Sequence, residues 1–96
     1  MSAYIIVDVK VHDAKLYEEY KGQVLPTLEK YGGRFLVRGG KTESLEGDWS
    51  PSRLVVIEFP SAGDARAWWS SPEYAEPKSL RQRASVTQMI LAEGAG

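Results

Sequence analysis

The sequence predicts an α+β sandwich, a single antiparallel sheet with its helices on one face, and three observations predict it. The chain opens with strict period-two alternation, in which Ile5, Val7, Val9 and Val11 share one face while Tyr4, Ile6, Asp8 and Lys10 share the other. Apolar residues then recur at helical spacing, at Leu16, Tyr20, Val24, Leu28 and Tyr31. The remaining segments follow in the order strand, strand, helical region, strand, which completes a β-α-β-β-α-β pattern.

Each element carries its own signals. The first strand covers Ala3–Val11. Asp13 is placed to cap the helix that follows, because its carboxylate can accept the unpaired amides of a first turn. Gly32-Gly33 should close that helix through the left-handed conformation. Pro26 offers no amide to the carbonyl of Gly22, so a kink or break is expected between them. The second strand is Arg34–Arg38, with Phe35 and Val37 on its apolar face. Gly39-Gly40 suggests a bulge, and residues 41–45 are able to continue the strand. Residues 46–52 have turn composition, and residues 53–59, ending in LVVIEF, form the strongest strand signal. Pro60 stops it. Ser61 with Asp64 then marks a helix start holding Ala65, Trp68 and Trp69, and Ser71-Pro72-Glu73 marks a second. Pro77 is expected to break this region into two pieces. Residues 86–91 are the last strand, with a tail at 93–96 expected to fray. The whole of 1–96 reads as one domain.

Right-handed crossovers give this order the sheet sequence 4-1-3-2, the ferredoxin-like arrangement. Its helices cover one face only. By parity, Ile5/Val7/Val9, Phe35/Val37 and Val55/Ile57/Phe59 lie under the helices. The open face should then carry Tyr4, Ile6 and Asp8; Arg34, Leu36 and Arg38; Leu54, Val56 and Glu58; and Gln88 with Ile90. Five aliphatics converging on a sheet face with no helical cover point to an interface.

Composition removes several function classes. Hydrophobic residues at 43% and charged residues at 26% are ordinary globular proportions, and a net charge of −1 leaves no footprint for nucleic acid or an anionic membrane. There is no cysteine, which excludes disulfides, thiol chemistry and the common zinc sites, and a single histidine argues against an all-protein metal site. Nothing approaches the run of about 20 apolar residues that a membrane span requires. The start reads as a strand rather than a signal peptide, so a cytoplasmic protein without cofactor is expected.

The segments YIIVDVKV, KYGGRFLVRGG, LEGDW, RLVVIEFPS, AWWSSPEY and LRQRAS, together with the Tyr20 and Pro26 helix, resemble a small bacterial family. It is the domain-of-unknown-function family numbered 1330, within the dimeric α/β-barrel superfamily, and the resemblance covers nearly the whole chain. It implies a ferredoxin-like subunit whose sheet packs face to face with a second copy to form a barrel across a homodimer. The superfamily includes monooxygenases, haem-degrading enzymes, lactone isomerases and stress-responsive proteins, and no established activity comes with this branch. Cofactor-free proton transfer or oxygenation of an activated carbonyl compound would fit it.

The candidate site residues are Tyr4, Asp8, Arg34, Arg38, Trp49 and Glu58. Two carboxylates and two guanidiniums on adjacent strands of one face can neutralise one another under a dimer interface. An arginine left partly unpaired among them could instead grip a carboxylate or enolate bidentately, in a pocket inside the barrel or between helices and sheet. Trp49, in a turn-like segment, could lid such a pocket or anchor a partner subunit. His12 and Tyr20 rank lower. His12 is the one residue that titrates naturally near neutrality, but it sits beside a turn; the haem-degrading relatives need asparagine, which this chain lacks. Lys78, Arg81 and Arg83 read as a solvated basic face near Glu73 and Glu76. Arg38-Gly39-Gly40-Lys41 lacks the spacing of a phosphate loop. A small-molecule enzyme or binder and a non-catalytic dimeric binding or stress-response module both fit these residues.

Overall fold

The computed structural model describes residues 1–95. Its elements are β1 (Ala3–Val11), α1 (Ala14–Lys30), β2 (Arg34–Arg38), β3 (Leu54–Phe59), α2 (Ala62–Trp69), α3 (Pro72–Ala84) and β4 (Ser85–Glu93). All strand pairs are antiparallel, in the order β2-β3-β1-β4, which is 4-1-3-2 read from the other edge. This is the ferredoxin-like α+β fold.

The core lies between the sheet and the helices, where the odd-numbered residues of β1 and β3 alternate buried with half-buried neighbours. Trp68, Tyr74, Phe59 and Leu28 are fully buried at its centre. The Trp68 ring stacks on Tyr74 at 4.0 Å and on Phe59 at 5.5 Å. Its indole N–H donates to Thr27 Oγ1 at 3.0 Å, and that hydroxyl donates onward to the Val24 carbonyl at 2.6 Å, so neither side chain leaves its polar group unpaired. The neighbouring Trp69 is half exposed and lies beneath the Lys78 ammonium.

Helix ends follow the local chemistry. Asp13 Oδ1 accepts from Leu16 N at 3.1 Å. At the other end Gly32 adopts φ +79°, its amide donates to Glu29 O at 3.2 Å, and Gly33 N donates to Leu28 O at 2.8 Å. That pair of reversed bonds is the Schellman closure, for which a left-handed glycine is the natural residue.

Four expectations need correction. The helix α1 is not broken at Pro26 but runs through it. Gly22 and Pro26 are both exposed, so water can serve the carbonyl that lost its partner. The helical region before β4 divides at Ser70-Ser71 rather than at Pro77, which lies inside α3. The Ser71 hydroxyl accepts from Tyr74 N and donates to the Trp68 carbonyl, serving both helices at the break. Residues 41–45 form no strand. The tail is tied down through Glu93, which pairs with Ala3, and Gly94, whose amide donates to Ser2 O at 2.8 Å; residue 96 lies outside the described residues.

A fifth correction bears on function. The bulge in β2 is not at Gly39-Gly40 but at Leu36, between Phe35↔Ile57 and Val37↔Val56. One extra residue reverses the facing of everything after it. Val37, expected beside Phe35 under the helices, opposes Val56 of the open face. Arg38, expected on the open face, opposes Val55 of the covered face.

Candidate functional site

The six first-ranked site residues are divided among three places. At one end of the open face, Arg34 and Glu58 are cross-strand partners. Arg34 grips Glu58 Oε1 through Nε and Nη2, both at 2.7 Å, and Tyr4 Oη donates to Oε2 at 3.4 Å. The Arg34 hydrogen bond, against some desolvation, holds the Glu58 carboxyl below its ordinary range. At the other end, Asp8 faces the connection formed by residues 39–53. Its Oδ2 accepts from the Trp49 indole N–H at 3.0 Å and its Oδ1 from Ser52 N at 3.0 Å, and the Trp49 bond leads in lowering the carboxyl's pKa. Asp8 thus fastens a long loop to the sheet while the Trp49 ring stays 60% exposed. These charges satisfy one another or the loop and do not converge on a common point.

Arg38 is the third place. The bulge turns it to the helix side, where its guanidinium stacks over the Phe35 ring at 4.3 Å and donates to Lys21 O at 3.3 Å. It stands at the mouth of a cleft between α1, α3 and the sheet that is also lined by Tyr17, Tyr20, Lys21, Arg53 and Arg81. Aliphatic residues including Val7, Val9, Val24, Val55 and Ile57 form the rest of its wall. The cleft encloses about 20 Å³ of free space, room for a single water.

Within the cleft, Arg81 is 5% exposed and its Nε donates to Tyr74 Oη at 3.2 Å. Tyr74 and Tyr20 hydroxyls meet at 3.0 Å. Burial, with Tyr74 adding to it, drives the Tyr20 phenol far above its ordinary pKa, so it stays protonated and acts as a donor. Arg53 lies over the Tyr17 ring at 5.6 Å, and its buried Nε has no hydrogen-bond partner. A Cβ on Gly39, itself at φ +72°, would fall 2.2 Å from Arg53 Nη1. Among the described residues, no carboxylate comes within 4.0 Å of Arg38, Arg53 or Arg81.

Of the lower-ranked candidates, Tyr20 belongs to this cleft. His12 is exposed on the β1–α1 turn, away from the cleft lining, with its backbone amide donating to Ala84 O. Among the described residues, no group of three His, Asp or Glu is arranged to hold a metal ion, and no helix is long and apolar enough to cross a membrane.

Residues 2–95 match the family described as a domain of unknown function, DUF1330. The chain belongs to this family. Solved structures with a similar fold include a protein of unknown function, RPA0582, from Rhodopseudomonas palustris, at 21% identity and TM-score 0.78 over 99% of this chain and 83% of that one. SnoaB from Streptomyces nogalater, a cofactor-independent oxygenase, aligns at 14% identity and TM-score 0.71 over 99% and 94%. A dimeric ferredoxin-like protein of unknown function from Bacteroides fragilis aligns at 14% identity and TM-score 0.55 over 97% and 96%. At these identities the likeness is one of fold. No curated protein matches the chain.

Two cleft residues of this DUF1330 chain escaped the sequence reading. Arg81, expected on a solvated basic face, falls on the stripe of Tyr74, Pro77, Leu80 and Ala84, all buried. That helical spacing was the available signal. Arg53 shares parity with Val55 and Ile57, which places it on the covered side.

Proposed function

We propose that this DUF1330 protein works as a homodimeric α/β barrel whose subunits bind or transform a small carbonyl or carboxylate compound, without a metal, in the cleft between helices and sheet. The observation that carries this reading is the cleft itself: three guanidiniums and the hydroxyls of Tyr17 and Tyr20 line a largely apolar wall, whereas on the sheet face Arg34 is paired with Glu58 and Asp8 is bound by Trp49. Such convergence of a few polar groups in an apolar concavity is what small-molecule sites share. The oxygenase SnoaB, which has the same fold, is named as cofactor-independent, in line with chemistry that needs no metal.

Dimerisation rests on the open face. Leu36, Val86 and Ile90 are 47%, 64% and 60% exposed there, and Trp49 and Leu45 project from the adjoining loop at 60% and 86%. A second copy of the same face would cover them, with the Arg34–Glu58 and Asp8–Trp49 pairs fixing its register.

The alternative is a non-catalytic dimeric binding or stress-response module. The small free volume of the cleft favours it, since a substrate would have to displace side chains to enter. A thermal-shift screen of small carbonyl compounds and carboxylates tests both readings. Compounds that raise the melting temperature of the wild type and lose that effect in Arg38→Ala support the cleft, and turnover of any such compound decides for an enzyme. A screen with no stabilising compound sinks the cleft reading.

A further inference from the structure

We propose that Arg53 and Arg81 form a carboxylate-binding site at the inner wall of the cleft, selective for small monocarboxylates with an apolar body. This deepens the cleft reading given above and rests on it.

The first ground is that these charges cannot be relieved from within. A buried lysine escapes desolvation by losing its proton; a guanidinium does not deprotonate in proteins and must find an acceptor or a counter-ion. Arg81 is 5% exposed, and its hydrogen bond within the chain is the one to Tyr74. Arg53 presents a buried Nε with no partner at all. Yet no carboxylate among the described residues lies within 4.0 Å of either. The acids of this chain are plentiful and are used elsewhere, on Lys30, Arg34 and the 39–53 loop.

The second ground is the sign of the remaining polar groups. Arg81 Nε–H, Tyr74 O–H and Tyr20 O–H supply three hydrogens to the two contacts that join them. One phenolic hydrogen is therefore left over. When Tyr74 donates to Tyr20, it is the Tyr20 hydrogen that is free at the cleft wall, which Tyr20 lines. The free hydrogens there, on Tyr20 and the two guanidiniums, are donors, so a complementary ligand is rich in acceptors and negatively charged.

The third ground is the seat of Arg53. Its guanidinium rests where Gly39 has no side chain, and a Cβ would overlap Cζ at 2.5 Å. Glycine at φ +72° thus holds room for the charge against the sheet. At the mouth Lys21 is paired with Glu18 at 3.0 Å, so the positive potential that draws an anion inward comes from Arg38. The cleft's free space of about 20 Å³ means that a bound ligand must displace side chains, and the aliphatic wall of Val7, Val9 and Val24 suits an apolar body.

Isothermal titration calorimetry of the full chain at neutral pH and low salt tests the site, with benzoate and cyclohexanecarboxylate as probes, benzamide as the neutral isostere and phosphate as the anion without an apolar body. The carboxylates should bind, with benzamide and phosphate weaker by about tenfold or more. Arg53→Gln and Arg81→Gln should each weaken benzoate by a similar factor, with partial recovery in Arg53→Lys and no change in the exposed Arg83→Gln. The unliganded melting temperature of Arg53→Gln should be unchanged or higher, because a buried Nε–H without a partner has been removed. If Arg81→Gln does not fold, Arg53→Gln decides alone. Benzamide binding as tightly as benzoate, phosphate binding as tightly, or benzoate indifferent to Arg53→Gln overturns the carboxylate site while leaving the cleft as a binding place. No binding by any probe overturns this inference and counts against the cleft as well.

Discussion

The two faces of the sheet invert one another's chemistry. On the open face Arg34 is paired with Glu58 and Asp8 is hydrogen-bonded by Trp49 and Ser52, while aliphatics such as Ile90 stand in water. On the helix face the aliphatics are buried, while the charges, Arg53 and Arg81, lack counter-ions. A face whose apolar surface is unfinished asks for a protein partner; one whose charge is unfinished asks for a small ion. The contrast separates what assembles the protein from what it could hold.

The largest effect should come from the helix side. Trp68→Ala removes a fully buried indole and should cost about 3–5 kcal/mol in urea denaturation. Trp69→Ala next to it should cost less than about 1 kcal/mol, since that ring is half exposed. Equal losses would show that the helices do not divide the pair as described. On the open face, Ile90→Asp should weaken the proposed dimer by roughly 30-fold or more, and light scattering at micromolar concentration should then report a monomer with its fold retained. Gly39→Ala probes the join between the faces and should lose about 1–2 kcal/mol for its positive φ, displacing Arg53 as well. Arg34→Ala should lose less than about 1 kcal/mol, because that guanidinium is 71% exposed.

The smallest effect concerns acid. Glu73 accepts from Lys30 and from Tyr31 Oη at 2.8 Å, bonds that draw its carboxyl down to about 2. The unfolded chain takes up this proton first, so the contribution is complete above about pH 4.5 and is lost as pH falls toward 2. Glu73→Gln should therefore narrow the difference in melting temperature between pH 5 and pH 2.5.

Period-two alternation in β1 and β3 made the sheet and its core legible, because a strand with one buried face leaves its pattern in the residues themselves. Caps at Asp13, Ser61 and Ser71 were legible for the same local reason. The bulge was not. Leu36 is an ordinary strand residue, and what displaces it is the pairing with β3, a long-range event with no local mark. Glycines drew attention to position 39, where the backbone does turn left-handed but after the register has already shifted. Arg81 was hidden by composition, since α3 is so rich in charge that its one buried guanidinium resembles its exposed neighbours. Trp49 was seen as a loop aromatic, but its bond to Asp8 depends on how a long connection folds back.

The bulge at Leu36 has a consequence for the pairing of the chain as distinct from its letters. Deleting that single residue would leave plain alternation through β2 and keep the present facing, with Val37 opposite Val56, Arg38 opposite Val55 and Gly39 still against Arg53. Pairing β2 without the bulge at unchanged length would instead carry Arg38 to the open face, so no residue need change identity for the two surfaces to trade a cation. Within this fold, gain or loss of a bulge in β2 is a route by which relatives could exchange a ligand-facing strand for a partner-facing one in one step.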